Sequence, residues 1–380
     1  MSAPDVEPIP LARPDLGARE EELAIEVLRS GRLSLGPMLE RFERDFAGWL
    51  GAGDAVAVSS GTAALHLGVR ALAWGPGDEV LTTPLSFVAS ANCLLYEGAT
   101  PVFCDVDPET LDIDPAAAGE ALGARTAGIL PVHIFGYPAD MPALGALASR
   151  HGLGVLEDAC QALGAVDSEG VRVGTRGNAA AFAFYANKQL TTGEGGMLVP
   201  ASVEAAELAR SERNQGRAPD MGALEHRRLG FNYRLGEVAA ALGVAQLERL
   251  DEILAARGRV AAMYAERLGS IEGLELPLAD RGSERRGWFI YVVQLPGRAD
   301  RDAVIAELRT RGVESKAYLP CIHLLPFYRE RYGFKGGEFP VAERVAARSL
   351  ALPFFPGLSE PDVERVCSAL AAALGQPAPA

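Results

Sequence analysis

The stretch AVAVSSGTAALHLGVRALAW, residues 55–74, decides the fold. Its first four residues are small and apolar, as a strand buried on both faces requires. Ser59-Ser60-Gly61-Thr62 turns the chain, and the Ala- and Leu-rich run over 61–74 reads as a helix. The same alternation continues to about residue 199. Short β-rich runs at 79–82, 101–104, 128–132, 154–156 and 180–184 are interleaved with helical runs at 86–96, 115–122 and 143–151. Alternation of this kind predicts a large doubly wound, mostly parallel α/β sheet.

Outward from that sheet the chain divides into further units. Residues 1–50 read as an N-terminal arm and helices, 51–235 as the large α/β domain, and 236–268 as one long bridging helix. Within that helix Val238, Leu242, Ala245, Leu250, Ile253, Leu254, Val260, Tyr264 and Leu268 recur mostly at three- and four-residue steps. A Gly-, Pro- and charge-rich connector over 269–287 opens a smaller α+β domain that runs to 380. Strands at 288–295 and 312–316 and helices at 301–311 and 361–374 are expected in it.

Composition bounds the function. The 380 residues suggest two or three domains at roughly 150 residues each. Hydrophobic residues make up 48% and charged residues 23%, which excludes a disordered chain. Lys plus Arg is 36 against 50 for Asp plus Glu, a net charge of −14 that argues against nucleic acid as a partner. The five cysteines form no CxxC pair, so zinc-ribbon and thioredoxin-type sites are not expected, and reduced thiols in a cytoplasmic protein are. The first 14 residues carry four prolines and no apolar run, unlike a signal peptide, and no membrane span is expected.

Three places carry chemistry. Ser60-Gly61-Thr62 opens a helix after a strand, where free N–H groups and hydroxyls bind anions; an ordinary Ser or Thr cap fits equally well. Asp158 and Gln161, in LEDACQ, follow an apolar strand, where open α/β sheets bind ligands. Asp158 is either a helix cap or a charge-assisted partner for a protonated ring nitrogen. Lys188 follows the strand in FAFYANK and enters a Gly- and Thr-rich loop; it is either a solvated loop lysine or a Schiff-base nucleophile. Phe87, in PLSFVA, is either core or a ring that stacks on a ligand. Together an anion anchor, a carboxylate and an amine on one sheet are what pyridoxal 5′-phosphate needs at its phosphate, its ring nitrogen and its aldehyde carbon. No GxGxxG follows a strand, which disfavours a nicotinamide-dependent dehydrogenase.

The motifs SSGTAALHLG, PVFCDVDPETLDID, PVHIFGYPADM, LEDACQALGA, FAFYANKQLTTGEGGM, RNQGR, LGFNYRLGEVAAALGVAQLERL and YLPCIHLLPFYRERYG recur in order. On them the chain resembles the DegT/DnrJ/EryC1/StrS family of pyridoxal-phosphate sugar aminotransferases, from Leu11 to about Ala372. The resemblance implies a fold-type I aminotransferase. Its substrates would be an amino-acid donor, L-glutamate above all, and a nucleotide-linked keto-sugar, used in ping-pong order. It implies Lys188 as the Schiff-base residue, Asp158 on the pyridinium nitrogen and Gln161 on the ring hydroxyl. Ser60, Gly61 and Thr62 would hold the phosphate, and Phe87 would stack on the ring. Asn232 would reach the site of a partner chain, making a homodimer with shared active sites. Tyr318, His323, Arg213 and Asn214 would lie near the sugar-nucleotide, with a core or interface role open for His323. Residues 31–35 and 323–328 would set which sugar is taken. Many relatives carry Ser five residues before the lysine, where this chain has Ala183, so Ser59, Ser60 or a water would have to replace that hydroxyl. Rival readings on the same fold are a pyridoxal-phosphate sugar dehydratase, against which retention of Lys188 counts, and a non-catalytic regulator.

Overall fold

A computed structural model of the chain describes residues 7–218 and 225–379; the outermost residues of the arm and of the C-terminal domain, and 219–224 of the large domain, lie outside it. Ten strands are present among the described residues. They are β1 (Val56–Val58), β2 (Glu79–Thr82), β3 (Thr100–Phe103), β4 (Thr126–Leu130), β5 (Gly154–Asp158), β6 (Ala179–Ala183), β7 (Gly196–Pro200), β8 (Tyr291–Gln294), β9 (Lys316–Ala317) and β10 (Ser349–Leu352). The first seven form one sheet in the order β1-β7-β6-β5-β4-β2-β3. Only β7 is antiparallel to its neighbours, β1 and β6. Consequently β1 to β6 all point the same way, and the loops that follow β1, β2, β5 and β6 meet at one edge.

Strands β1, β6 and β7 are apolar on both faces, and the two faces feed different cores. Ala57, Ala180, Phe182, Met197 and Val199 pack with Phe42 and Phe46 of the Pro37–Leu50 helix. Their alternates Val56, Val58, Ala181 and Leu198 pack with Leu65 and Leu67 of the Gly61–Ala71 helix. This two-residue period with no polar face is the signature of a sheet covered on both sides. The smaller unit is the antiparallel sheet β8-β10-β9, covered by the Arg301–Thr310 and Glu360–Ala373 helices.

Three parts depart from the sequence expectation. The long bridging helix is two helices, Glu237–Glu248 and Leu250–Leu268, broken at Arg249 with φ −124° and ψ 19°. At the break the Arg249 guanidinium reaches the N-terminal segment, bonding Glu20 Oε1 at 3.0 Å and Asp15 Oδ2 at 2.7 Å. The first helix buries Ala240, Ala241, Val244 and Ala245 in the large core, and the second buries Val260, Tyr264 and Leu268 in the small one. The arm is also divided. Ile9 pairs with Val313 of the small unit, donating to the Gly312 carbonyl at 2.9 Å. The Ala18–Ser30 and Pro37–Leu50 helices join the large core. Finally, β7 and β10 fall outside the expected strands: β7 follows β6 with no helix between them, and β10 runs straight on from the Pro340–Arg348 helix, so neither shows in the strand–helix alternation.

Trp74, only 5% exposed, lies against the backbone of β4 where Gly128 leaves room for it. A Cβ at 128 would fall 2.0 Å from Trp74 Cζ2 and 2.8 Å from the Gly154 carbonyl oxygen. Gly128→Ala should therefore destabilise the protein by about 1–3 kcal/mol, the usual range for overpacking. A fall in the urea midpoint without loss of fold would be the expected result, and an unchanged midpoint would show that Trp74 moves aside freely.

Candidate active site

The edge where the loops after β1, β2, β5 and β6 converge is closed by Lys316, Tyr318 and Leu319 from the small unit. Between them lies a cavity of about 480 Å³. Ser60, Gly61, Thr62, Phe87, Asp158, Gln161 and Lys188 all line it.

Ser60 caps the Gly61–Ala71 helix, its Oγ accepting the Ala63 N–H at 3.1 Å. Because that hydroxyl accepts, its own proton is free to be donated into the cavity. The N–H groups of the helix's first turn have no intrahelical acceptor. The backbone can come this close because residue 61 lacks a side chain. A Cβ there would lie 2.6 Å from the Ala183 Cβ and 3.0 Å from Cys160 Sγ. The result is a backbone-walled cradle for an anion.

Asp158 ends β5 and is 5% exposed. Its Oδ2 accepts from Ser90 Oγ at 2.7 Å, and its Oδ1 from the Cys160 N–H at 3.1 Å. Gln161 is held from both ends: its Oε1 accepts from the Phe135 N–H at 3.1 Å, and its carbonyl accepts from Gln189 Nε2 at 2.8 Å. Phe87 exposes 58% of its surface at the cavity wall, an unusual state for a phenyl ring and one that suits a flat ligand.

The Lys188 amine lies 3.8 Å from the centre of the Phe289 ring. Burial brings its pKa down from 10.5 to about 8, against the opposing pull of the Asp158 carboxylate. At pH 7 about one amine in ten is then neutral, a supply of nucleophile that a solvated lysine lacks. Arg257 fixes this corner by donating to the Lys188 carbonyl at 3.0 Å and the Phe289 carbonyl at 3.1 Å.

This donor set fits pyridoxal phosphate: an anion cradle, a buried carboxylate, a neutralisable amine and an open aromatic face share one cavity. Of the substrate candidates, Tyr318 lines it, and burial pushes its phenol up. The other three do not. Arg213 is buried in an ion pair with Glu43 and donates to the Ala57 carbonyl at 2.6 Å. Asn214 is buried and accepts from Arg234 Nη1 at 3.0 Å. His323 is fully buried among Phe103, Phe334 and Phe339, with Nε2 3.1 Å from Glu343, so its place is in a core. The 323–328 segment as a whole is off the cavity, with Tyr328 buried and bonded to Asn92 at 2.8 Å, and so are residues 31–35. Asn232 is exposed and outside this chain's cavity. Ser59 is not in the wall either, which leaves Ser60 as the hydroxyl nearest in role to the one Ala183 lacks.

Sequence reasoning missed Ser90, Cys160, Tyr185, Asn187, Glu194 and Lys316 in the wall. The signal that could have found Ser90 is its place in the first turn of the Ala89–Tyr96 helix, three residues after Phe87.

The sequence profile of the DegT/DnrJ/EryC1/StrS aminotransferase family matches residues 14–371. The chain is 38% identical over 376 residues to the spore coat polysaccharide biosynthesis protein SpsC of Bacillus subtilis, covering 95% of this chain and 96% of that one. It is 37% identical over 374 residues to the GDP-perosamine synthase of Caulobacter vibrioides, covering 96% and 98%. Among solved structures, S. venezuelae DesV in complex with a ketimine intermediate superposes with a TM-score of 0.90 at 37% identity, covering 97% of this chain and 99% of DesV.

The lowered lysine pKa carries a stability consequence. Below about 8 the folded protein bears the cost of a desolvated ammonium; above 10.5 the amine is neutral in both states and the cost is gone. Lys188→Met should raise the urea midpoint of the cofactor-free protein at pH 7, and the gain should shrink as pH climbs from about 8 to 10.5. A gain that stays constant across that window would show that burial of the charge is not its source.

Proposed function

The chain belongs to the DegT/DnrJ/EryC1/StrS aminotransferase family, a pyridoxal-phosphate-dependent family, and from that premise we propose that it moves an amino group from L-glutamate to a nucleotide-linked keto-sugar. The observation that carries this reading is the meeting of Lys188, Asp158 and the Ser60–Thr62 helix end in one cavity. Bound there, the cofactor supplies an electron sink for the pair left when the donor's Cα–H bond breaks.

The chain's own residues do the rest. Ser60, Gly61 and Thr62 hold the phosphate through the helix's free N–H groups and two hydroxyls, and Ser60 supplies the donor that position 183 lacks. Phe87 would cover one ring face. Asp158, fixed in place by its two hydrogen bonds, would hold a proton on the ring nitrogen. Gln161 would meet the ring hydroxyl. The Lys188 amine, neutral for part of the time near pH 7, takes the Cα proton of the donor and later returns a proton to the sugar carbon that receives nitrogen. Both substrates use one cavity in turn, so they react in ping-pong order. Asn232, exposed and away from this cavity, completes the phosphate site of a second copy, and the working enzyme is a homodimer.

Borohydride treatment of the holoenzyme should fix the cofactor to Lys188, seen by peptide mass. Lys188→Ala should lower turnover by about 10²–10⁴-fold, the range for loss of a general base. With glutamate and a panel of nucleotide keto-sugars, one product should gain an amino group by mass, with parallel initial-rate lines. Wild-type turnover in Lys188→Ala would end the assignment, and intersecting lines would end the ping-pong scheme.

A further inference from the structure

Asp158 is not held by backbone alone. Ser90 Oγ lies 2.7 Å from Asp158 Oδ2, and Ser86 Oγ lies 2.7 Å from Ser90 Oγ. Ser86 and Ser90 are buried, at 2% and 1% exposure, beside and within the first turn of the Ala89–Tyr96 helix. A hydroxyl has one proton to give. Ser90 has two acceptors in reach, Asp158 Oδ2 and the Phe87 carbonyl at 3.1 Å. The nearer acceptor, the carboxylate oxygen, takes the proton, since hydrogen bonds to a carboxylate are stronger than those to a carbonyl. Ser86 must then be the donor in the Ser86–Ser90 bond. The other carboxylate oxygen, Oδ1, accepts from the Cys160 N–H at 3.1 Å. Each oxygen thus carries one fixed hydrogen bond, and the plane of the carboxylate is set. The remaining lone pairs are left for the cavity, whose wall Asp158 and Ser90 share.

Asp158 acts electrostatically on three titratable groups beside it, Lys188, Cys160 and Cys93. Burial pushes both thiols well up, so they stay neutral. Of these three only Lys188 brings charge, and its amine also has to move protons. The direction of the carboxylate therefore depends on donors that never titrate.

We propose that Ser86 and Ser90 are positioning residues, a two-hydroxyl relay that fixes the direction and charge density of the Asp158 carboxylate toward the cofactor's ring nitrogen. The proposal rests on Asp158 facing that nitrogen. Its test is a pH titration of the visible absorbance of the holoenzyme, with kcat and KM, for the wild type and four variants. Ser90→Ala should move the titration midpoint by about half a pH unit or more and lower kcat about tenfold with little change in the KM of the amino donor, as for one lost charged hydrogen bond. Ser86→Ala should move both in the same direction by less, and it keeps the test alive if Ser90→Ala fails to fold. Ser90→Thr, which keeps the hydroxyl, should restore the wild-type midpoint. A Ser90→Ala titration that overlays the wild type, or a Ser90→Thr titration that follows Ser90→Ala, would overturn the relay. Asp158→Ala separates the premise: a wild-type spectrum in that variant removes Asp158 from the ring nitrogen, whatever the serines do.

Discussion

The contact on which the site depends is the one between the start of the Gly61–Ala71 helix and the end of β6. At Gly61 the helix backbone lies flush against Ala183 and Cys160, with no space for even one added carbon. This sets the depth of the first-turn N–H groups. They open at the level where β5 ends in Asp158 and where the loop after β6 delivers Lys188. An anion cradle a few ångströms higher would serve a different ligand. The same contact explains why position 183 can be alanine: its side chain packs on the glycine, and Ser60, capping the helix a residue away, still has a hydroxyl proton to give.

Electrostatics follows from that crowding. An ammonium in a closed cavity costs free energy, and Lys188 answers by holding its proton less tightly. A carboxylate faces the same cost and is compensated differently, by fixed hydrogen bonds from Ser90 and from the Cys160 N–H. The two groups are thus prepared for opposite tasks. The amine is poised to gain and lose a proton near neutrality, whereas the carboxylate is held in one orientation. Separating titratable groups by environment in this way is how one cavity does acid–base work on both sides of a heterocycle.

The parts of this arrangement that sequence exposed were local. Strand, turn and helix over 55–74 sit in one stretch of chain, as do Asp158 with Gln161 and the lysine loop after β6. Periodicity and turn chemistry report on such stretches directly. Contacts between distant segments were hidden. Arg213 and Asn214 sit in a conspicuous RNQGR motif, yet Arg213 is spent on Glu43, 170 residues earlier. Resemblance alone places His323 near the sugar-nucleotide, with a core role left open, and Phe334 and Phe339 beside it make a core that nothing local announces. The break at Arg249 was equally silent. Arg249 at the break is bonded to Asp15 and Glu20 from the far end of the chain, a contact that no local pattern reports.

That break explains how the two units share one site. With the helix interrupted, its first half stays in the large core, and its second half carries Arg257 to the corner where Lys188 and Phe289 meet. Arg257 is 2% exposed, and burial lowers its pKa only to about 10, so it remains charged at neutral pH. Its two carbonyl bonds tie the lysine loop to the chain entering β8. The same small unit supplies Lys316, Tyr318 and Leu319 to the cavity wall. Ile9, paired at Val313, fastens the beginning of the described chain to that unit as well. Desolvation of the Lys188 amine is therefore not a property of its own loop. Phe289 lies against the amine, and Tyr318 of the small unit lines the same cavity. Domain packing and lysine acidity are one linked quantity, and a substitution that loosened the Arg257 corner would return the amine toward ordinary solvated behaviour before it disturbed the sheet.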